Sequence, residues 1–551
     1  MYTSSNGLYV AHGPDGPISI TGKMANRHGL IAGATGTGKT VTLQVLAETF
    51  SQAGVPCFMA DMKGDLSGIS QAGRMSGFIE KRCAEFGIQN PAFAPNPVRF
   101  YDVFGEQGHP MRTTISNMGP QLLSRLMGLT DVQSGVLDIV FRVADDNGLL
   151  LIDIKDLRSM LTYVADHAED VRVNYGNVST MSIGAIQRAI VGLENEGATD
   201  FFAEPAFDIN DLLAVENGRG VMSVLAADRL MMNPKLYSTF LLWLLSDLYA
   251  TLPEVGDMEM PKLVFFFDEA HTLFTDTAPV LVRKIEQVVR LIRSKGVGVY
   301  FVTQNPTDIP DSILGQLGNR IQHALRAYTP KDQKAVRVAA DTFRANPAFK
   351  TEDAIMNLET GEALVSFLDA KGAPQMVQRA RILFPLSQIG AITDGQRLDI
   401  RNASPLAGKY DKVFDRQSAF EVLTAERQQA QAELERQQKE QERLQQEAAW
   451  QKQREMESRN QSRTASVSTR STKSKKKSTG TGKAIGAAVL SAAVGAAITS
   501  VSRSAGNAAG DVVTGKKKKT TGKDVAGKAV SDATATAIRK FTRSILGNLL
   551  K

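Results

Sequence analysis

Apolar positions along the chain follow two spacings, one typical of buried strands and the other typical of helices. Continuous apolar runs occupy residues 29–32 and 55–61, and residues 39–53 between them carry apolar positions at helical spacing. The order strand, loop, helix, strand predicts the start of a βαβ unit. Because such units build parallel sheets covered by helices, this segment favours an α/β fold.

The same alternation returns after residue 213. It predicts a strand at residues 220–228, a helix at 235–252, a strand at 262–271, a helix at 278–295 and a strand at 297–305. Weaker signals add a strand at 319–328, a helix from Pro330 and a hairpin across 361–384 that turns at Lys371 and Gly372. The helix at 235–252 is apolar on all sides, so we expect it to be buried.

Residues 114–213 interrupt the alternation of strands and helices. Apolar positions recur there at helical spacing, and strand signals are scarce. We therefore predict a mostly helical insertion in the α/β core.

The composition of the chain changes near residue 418. Residues 418–462 are rich in Gln, Glu and Arg and poor in leucine, which favours a solvated helix over a weak coiled coil. Residues 463–551 are basic and of low complexity, which is typical of disorder. Residues 484–502 are uncharged and long enough to cross a bilayer, but their Ala, Gly and Ser content favours a flexible tail over membrane association.

Charge is divided unevenly between the body and the tail. The net charge is +6, but residues 463–551 hold 18 Lys or Arg and three Asp, so the tail carries +15 and residues 1–462 carry −9. A polyanion, whether DNA or an anionic membrane, is expected to meet the tail first. Cys57 and Cys83 suggest neither a disulfide framework nor a zinc site. The first residues lack the features of a secretory signal, which predicts a cytoplasmic protein.

The strongest motif is a G-x-x-x-x-G-K-T sequence between the first predicted strand and the first predicted helix. It comprises Gly33, Ala34, Thr35, Gly36, Thr37, Gly38, Lys39 and Thr40. Glycines permit backbone conformations in which successive N–H groups converge on phosphate oxygens, and the helix start adds partial positive charge. Lys39 is expected to bind the β- and γ-phosphates of ATP, and the Thr40 hydroxyl is expected to bind Mg²⁺.

Two acids follow the most hydrophobic predicted strand. Asp268 and Glu269 stand at its carboxyl end, where ligands bind in open α/β sheets. With a P-loop upstream, Asp268 is expected to take part in Mg²⁺ coordination and Glu269 to polarise the attacking water. The alternative is a buried strand that ends by chance in two solvated acids. A pair of acids favours hydrolysis over nucleotide switching.

Polar residues around the next predicted strand are further candidates. Gln304 ends that strand and is a candidate contact of the γ-phosphate or the attacking water, although Asn305-Pro306 also fits an ordinary turn. A motor that hydrolyses ATP between subunits needs a cation from the neighbour. Arg293 and Arg320 are the two candidates, and the alternative is that both are ordinary solvated charges.

Three more residues lie beside these motifs. His271 either orients Glu269 or is a satisfied core histidine. Lys63 and Asp65 follow the strand at 55–61, again at the edge where ligands bind. We expect them near the nucleotide or near a subunit boundary.

The motifs together resemble the HerA/FtsK superfamily of P-loop ATPases, and more closely its HerA-like bacterial family typified by YjgR. The resemblance rests on HGLIAGATGTGKT, DMKGDLSG, FFFDEAH, RSKGVGVYFVTQNP and LGNRIQHALRA and covers residues 1–420. It implies a RecA-like sheet in which another strand separates the P-loop strand from the acid-pair strand. It also implies a homo-hexameric ring that pumps double-stranded DNA, with Gln304 ending the fourth core strand and Arg293 bridging subunits.

The family pattern is incomplete in this chain. Only about 28 residues precede the P-loop strand, so the β-barrel of archaeal HerA is expected to be absent or reduced. No winged-helix DNA reader of the FtsK type follows the core. Both departures weaken the transfer of substrate and partner.

These observations predict a RecA-like P-loop NTPase core with a mostly helical insertion and a helical or disordered C-terminal tail. The predicted divisions are a short N-terminal segment (1–28), the first part of the core (29–113), the insertion (114–213), the second part of the core (214–417), a charged helix (418–462) and a basic tail (463–551). The predicted function is an ATP-hydrolysing ring motor on DNA. One alternative is an ATPase that remodels or moves protein, with or without association with a membrane. Another is a regulatory ATPase that serves as a scaffold for a partner enzyme.

Overall fold

The computed structural model of the chain describes residues 2–3, 7–256, 258–274 and 279–467. The described residues up to Ala425 form one compact unit, and those from Glu426 onward belong to a second. The strands are, in chain order, β1 (Tyr2–Thr3), β2 (Gly7–Gly13), β3 (Gly16–Ile20), β4 (Gly29–Ala32), β5 (Cys57–Asp61), β6 (Val98–Asp102), β7 (His109–Pro110), β8 (Val215–Glu216), β9 (Arg219–Gly220), β10 (Met222–Ala226), β11 (Leu263–Phe267), β12 (Val297–Thr303), β13 (Asn319–Gln322), β14 (Glu362–Ser366) and β15 (Gln378–Ile382).

Helices cover the sheet and account for the long segments between strands. They are α1 (Lys39–Gln52), α2 (Gly77–Phe86), α3 (Ile115–Leu126), α4 (Asp131–Asp146), α5 (Ile154–Asp166), α6 (Ala168–Tyr175), α7 (Thr180–Asn195), α8 (Ala198–Phe201), α9 (Asp228–Met231), α10 (Pro234–Thr251), α11 (Pro279–Ile292), α12 (Asp311–Leu314), α13 (Pro330–Asp341), α14 (Thr351–Met356), α15 (Asp394–Ala403) and α16 (Ala419–Val467).

The centre of the sheet is a parallel array in the order β13-β4-β12-β11-β5-β10-β6. Every residue of β4, β5, β11 and β12 is buried, which explains why these strands are continuous apolar runs with no alternation. All seven strands end at one edge of the sheet, here called the carboxyl edge, and begin at the opposite amino edge. The predicted α/β fold is confirmed.

One strand separates the P-loop strand from the acid-pair strand, as the family resemblance implies. β12 pairs with β4 through Thr303 and Ala32, and with β11 through Phe301 and Phe267. β11 in turn pairs with β5 through Phe267 and Ala60. The loops after β4, β12, β11 and β5 therefore lie side by side at the carboxyl edge.

Antiparallel strands extend the array beyond β13. The predicted hairpin at 361–384 forms as β14 and β15, which pair antiparallel. β2 pairs with β15, and β1 and β3 pair with β2, so residues 1–28 contribute strands to the same sheet as the P-loop. These additions cover an edge that β15 would otherwise leave unpaired.

The segment predicted to be a helical insertion contains α3 to α8. Its apolar faces share one core cluster with α10, which is buried along most of its length, as its apolar surface predicts. Trp243 of α10 packs edge-on against Phe201 of α8 with ring centroids 5.8 Å apart. α10 thus anchors the insertion to the unit that carries the sheet.

The predicted strand at 319–328 is shorter in the structure, where β13 ends at Gln322. Beyond that point the chain leaves the strand ladder, and Ala324 O accepts a hydrogen bond from Ala34 N of the P-loop at 2.8 Å. The His323 side chain points into the protein and bonds to Thr42. Ala324 and Leu325, the apolar residues that follow, are buried in a cluster with residues of α13, α14 and β14.

The Gln/Glu-rich segment forms the helix α16. Ala419 and Leu423 at its start are buried in the first unit, whereas the side chains described from 426 to 459 are all exposed. No helix among the described residues is long and apolar enough to cross a membrane. Residues 468–551, with most of the predicted basic tail and the uncharged segment 484–502, lie outside the described residues.

Candidate functional site: a nucleotide pocket at the carboxyl edge

The P-loop connects β4 to α1 at the carboxyl edge. Gly33 N donates a hydrogen bond to Thr303 O at 3.2 Å, and Ala34 N donates to Ala324 O at 2.8 Å. Thr303 ends β12 and Ala324 follows β13, which are the two strands beside β4. The start of the loop is therefore held from both sides by the sheet.

Glycines occupy the positions of the loop where a side chain would be strained. Gly36 and Gly38 have φ angles of 78° and 108°, which L-residues rarely adopt. A Cβ on Gly33 would lie 2.5 Å from His323 Cβ, so that position has no room for a side chain. A glycine-rich backbone of this kind can present N–H groups to phosphate oxygens.

Lys39 and Thr40 begin α1 directly after the loop. Lys39 Nζ donates a hydrogen bond to Ala34 O at 3.1 Å, which holds the ammonium beside the loop. Burial lowers the pKa of Lys39, while the negative charges of Glu269 and Asp268 oppose that effect. The lysine thus shares an electrostatic environment with both acids, although they are far away in the sequence.

Asp268 and Glu269 follow β11 and lie at the same edge. Both are buried, with 5% and 6% of their surface exposed. Burial, and then the charge of Glu269, raises the pKa of Asp268 to about 6. Glu269 has a φ of 46°, a conformation that is uncommon for residues with a side chain and that clusters at functional sites.

Lys63 contacts Glu269 directly. It follows β5, the neighbour of β11, and its Nζ lies 2.5 Å from Glu269 Oε1. Burial by itself raises the pKa of Glu269, but the hydrogen bond and positive charge of Lys63 hold that pKa below its usual value. The same hydrogen bond raises the pKa of Lys63. The sequence predicted that Lys63 lies near the nucleotide or near a subunit boundary but did not identify this partner.

The other carboxylate oxygen of Glu269 faces Gln304 and His271. Gln304 Nε2 donates to Oε2 at 3.4 Å, a long hydrogen bond. His271 Nδ1 lies 3.4 Å from the same oxygen, without hydrogen-bond geometry. The His271 side chain is 33% exposed, so of its two predicted roles the structure favours the one beside Glu269 over that of a core histidine.

Two further carboxylates share this edge. Asp61 ends β5, and its Oδ1 accepts hydrogen bonds from Gly64 N at 2.8 Å and from Lys63 N at 3.3 Å. Burial, and then the charge of Asp65, raises the pKa of Asp61 to about 7. Asp61 Oδ2 and Asp65 Oδ1 are buried and have no hydrogen-bond partner among the described residues. Acids with raised pKa values that gather at a ligand-binding edge are typical of a functional site.

The side chains at this edge suit a nucleotide with Mg²⁺. The ion prefers oxygen ligands and is commonly held by one or two protein oxygens together with phosphate oxygens. The Asp268 carboxylate and the Thr40 hydroxyl are oxygens of that kind, and Asp268 is a buried acid that a cation would stabilise. Asp268 and Thr40 therefore fit the predicted metal-binding role.

The two candidate arginines lie at the amino edge, away from the P-loop. Arg293 and Arg320 line a cavity of about 430 Å³ together with Arg27, Arg290 and His28. No acidic residue lines this cavity among the residues that the structure describes. The cavity therefore concentrates positive charge.

The length of β12 separates these arginines from the acids. Arg293 precedes β12 and Gln304 follows it, and a strand of seven residues spans about 23 Å. The structure therefore brings Gln304 to Glu269 but does not bring Arg293 to the P-loop of the same chain.

Arg320 is occupied by backbone carbonyls. Its Nε, Nη1 and Nη2 donate to Leu317 O at 2.9 Å, Thr342 O at 3.0 Å and Leu314 O at 2.9 Å. These bonds use every nitrogen of the guanidinium group and favour a structural role. Arg293 is the arginine to which the family resemblance gives the role of bridging subunits.

His323 supports the P-loop and was not predicted. Its Nδ1 bonds to Glu362 O at 2.9 Å, and its Nε2 lies 2.8 Å from Thr42 Oγ1 in the first turn of α1. It directly follows β13 at the carboxyl edge, as Gln304 follows β12. A polar residue directly after a core strand was thus the available signal, but the predicted strand extended through this position.

Fold and site together define a P-loop nucleotide-binding protein with a RecA-like sheet. The chain belongs to the family described as helicase HerA-like C-terminal, whose model matches residues 8–506. The resemblance to the HerA/FtsK superfamily seen in the sequence is thereby confirmed.

Two curated relatives match shorter stretches. The chain is 32% identical over 99 residues to the DNA double-strand break repair helicase HerA of Sulfolobus acidocaldarius, which is 18% of this chain and 19% of that protein. It is 31% identical over 109 residues to the protein of the same name from Sulfurisphaera tokodaii, 20% of this chain and 21% of that one. The chain thus spans about a fifth of the length of these relatives.

Solved structures with a similar arrangement are distant in sequence. The bacterial conjugative coupling protein TrwB is 15% identical, with a TM-score of 0.44 over 70% of this chain and 91% of that chain. VirB4 of Thermoanaerobacter pseudethanolicus is 14% identical, with a TM-score of 0.45 over 69% of this chain and 97% of that chain.

Proposed function

We propose that the protein is an ATP-hydrolysing ring motor that moves double-stranded DNA. The observation that carries the ring is the separation of the arginine cavity from the catalytic acids by the length of β12. A cation that stabilises transition-state charge must touch the transferred phosphoryl group. Arg293 cannot do so in its own subunit, whereas a neighbour in a ring can receive it.

The residues at the carboxyl edge have separate roles in ATP hydrolysis. Lys39 and the loop backbone bind the phosphates. Thr40 and Asp268 would hold Mg²⁺, which would supply positive charge to the phosphate groups when bound. Glu269 accepts a proton from the water that attacks the γ-phosphorus, since Lys63 contacts its buried carboxylate and holds its pKa below the usual value. Gln304, which contacts Glu269, orients that water.

DNA as the polymer is supported by the family and by the names of the curated relatives. The basic tail is a candidate DNA contact, because it carries +15 while residues 1–462 carry −9. An anionic membrane would attract the same tail. The homo-hexamer is likewise proposed from the family resemblance and from the position of Arg293.

Mixing two variant subunits, each with a different defect, tests whether neighbouring subunits share an active site. Arg293→Ala leaves the carboxyl edge intact, and Glu269→Gln leaves the arginine intact, so each variant alone is expected to keep only a small residual ATPase activity. In mixed rings, an Arg293→Ala subunit beside a Glu269→Gln neighbour regains a complete site, and ATPase activity is expected to return. Arg142→Ala, which removes a surface pair with Asp146, is the control and keeps wild-type activity.

Failure of the mixture would contradict the ring. If Arg293→Ala alone hydrolyses ATP normally, Arg293 is not the bridging residue. If both variants keep only residual activity and their mixture stays as low while mass photometry shows monomers with and without nucleotide, the ring model fails.

A direct assay tests the polymer. ATP hydrolysis is measured with and without linear double-stranded DNA, with Lys39→Ala and Glu269→Gln as controls. Stimulation that rises with DNA length and falls with salt is the expected result. If hydrolysis depends on Lys39 but is not stimulated by DNA, DNA is rejected as the polymer and the assignment as an ATPase remains.

The second candidate function is an ATPase that moves protein at a membrane, and the uncharged segment 484–502 favours it. Truncation must spare the start of α16, because Ser418 Oγ donates to buried Asp156 at 2.5 Å and Ala419 is buried. A chain that ends at residue 467 is therefore the suitable variant. Loss of vesicle binding with unchanged DNA-independent ATPase would favour this function. A regulatory scaffold would instead show slow turnover that no polymer changes.

A further inference from the structure

The turn after β5 places a lysine against the catalytic glutamate. β5 and β11 are parallel neighbours, with Ala60 opposite Phe267, so the residues that follow each strand emerge together. Asp61 Oδ1 accepts hydrogen bonds from Lys63 N and Gly64 N. Gly64 has a φ of 76°, which closes the turn tightly. The turn is thus built to hold the Lys63 side chain beside β11.

Hydrogen bonds restrain both the backbone and the carboxylate of Glu269. Its backbone N–H donates to Asp268 Oδ1 at 2.9 Å, and its carbonyl accepts from Thr272 Oγ1 at 2.9 Å. Gln304 approaches Oε2 at 3.4 Å. Lys63 makes the closest contact, at 2.5 Å to Oε1, and it is a charge-assisted hydrogen bond, the stronger kind.

We propose that Lys63 is a positioning residue for ATP hydrolysis, which holds the Glu269 carboxylate where it accepts the proton of the attacking water. This inference rests on the proposed role of Glu269. Lys63 acts through Glu269 and not through the nucleotide. General-base catalysis depends on placing the base within hydrogen-bond distance of the water, so a carboxylate free to change rotamer loses rate.

Structural features of Lys63 make a clean substitution possible. Its side chain is 53% exposed, whereas that of Glu269 is 8% exposed. Lys63→Met keeps the length of the chain and removes the charge, and Lys63→Arg keeps the charge. Lys23 is the matched control, because it is 50% exposed and pairs with Glu259 at 2.8 Å away from the P-loop.

The expected result is a fall in kcat without a change in KM. Lys63→Met lowers kcat on the order of 10- to 100-fold, the worth of a hydrogen bond to a charged group, while KM for ATP stays within about twofold because the nucleotide contacts remain. Lys63→Arg recovers most of the rate. Lys23→Met behaves as wild type, and the melting temperature of every variant is checked to exclude unfolding.

A double variant tests whether Lys63 acts through Glu269. In a Glu269→Gln background, adding Lys63→Met is expected to cause no further loss of rate, because the restrained carboxylate is already gone. A further loss as large as that in wild type would overturn the inference, since Lys63 would then act on the phosphates directly.

Other outcomes are equally decisive. An unchanged or increased kcat in Lys63→Met overturns the inference, and so does a raised KM with unchanged kcat. If the wild-type protein itself does not hydrolyse ATP, the proposed function fails. If wild type is active and Lys63→Met is normal, only the role of Lys63 fails.

Discussion

His323 makes the stability of the protein depend on pH. The side chain is fully buried beneath the P-loop, where it bonds to Glu362 O and to Thr42 Oγ1. The carbonyl can only accept, so Nδ1 carries the proton and Nε2 accepts from the threonine hydroxyl. Both bonds are satisfied by the neutral ring. His323→Gln can keep a donor and an acceptor while removing the titration.

The magnitude follows from the pKa. Burial is the main cause that lowers the pKa of His323 from 6.5 to about 4, and the Lys39 charge adds to it. Because the folded pKa is the lower one, stability is complete above pH 6.5. It is lost as the pH falls from 6.5 towards 4, where the unfolded chain binds a proton that the folded protein does not. The loss is about 3 kcal/mol.

The assay compares unfolding at several pH values. The urea midpoint is measured between pH 7.5 and 4.5 for wild type, His323→Gln, His323→Leu and the exposed-site control His167→Gln. We expect His323→Gln to match wild type near pH 7.5 and to lose less stability on acidification. His323→Leu is expected to be less stable than wild type near pH 7.5 by about 1–3 kcal/mol, because the Glu362 carbonyl is left buried without its donor. This deficit is expected to shrink as the pH falls, because leucine does not titrate.

One result would refute this reasoning. If His323→Gln loses stability between pH 7.5 and 4.5 as steeply as wild type, His323 does not bind its proton preferentially in the unfolded state. His323→Gln is still expected to lose some stability as the pH falls, since burial also lowers the pKa of His28 to about 4.

Three further predictions concern packing and the loop. Glu48→Gln removes a buried carboxylate that accepts from Ser387 N at 3.0 Å and should lower the free energy of unfolding by about 1–3 kcal/mol in urea titrations. Gly33→Ala should abolish ATP binding, measured by calorimetry, because the added Cβ would clash with His323. Gly36→Ala places its Cβ in open space, so the only expected penalty is about 1–2 kcal/mol of backbone strain. Trp243→Ala empties the core beside Phe201 and should cost about 3–5 kcal/mol, seen as a lower urea midpoint.

Features that depend on neighbouring residues could be predicted from the sequence. The P-loop, the strand that ends in Asp268 and the helix that starts at Pro330 are each encoded within about ten residues. Their local patterns of glycine, apolar run and capping therefore identify them. The parallel α/β class follows from the same local alternation, and the order of strands came from the family resemblance. For Glu269 and Gln304 the sequence could predict the shared edge, but not their contact.

Features that depend on distant residues were decided by the tertiary structure. Lys63 and Glu269 meet because β5 and β11 are neighbours in the sheet, and nothing in either segment specifies the partner of the other. β13 ends at Gln322, and the side chain of the next residue, His323, bonds to Thr42 in α1, which lies far away in the sequence. Arg320 resembles a free charge in the sequence, yet backbone carbonyls surround it in the fold. The local pattern of a sequence determines which elements form, whereas a side chain's partner depends on the packing of elements that are far apart along the chain.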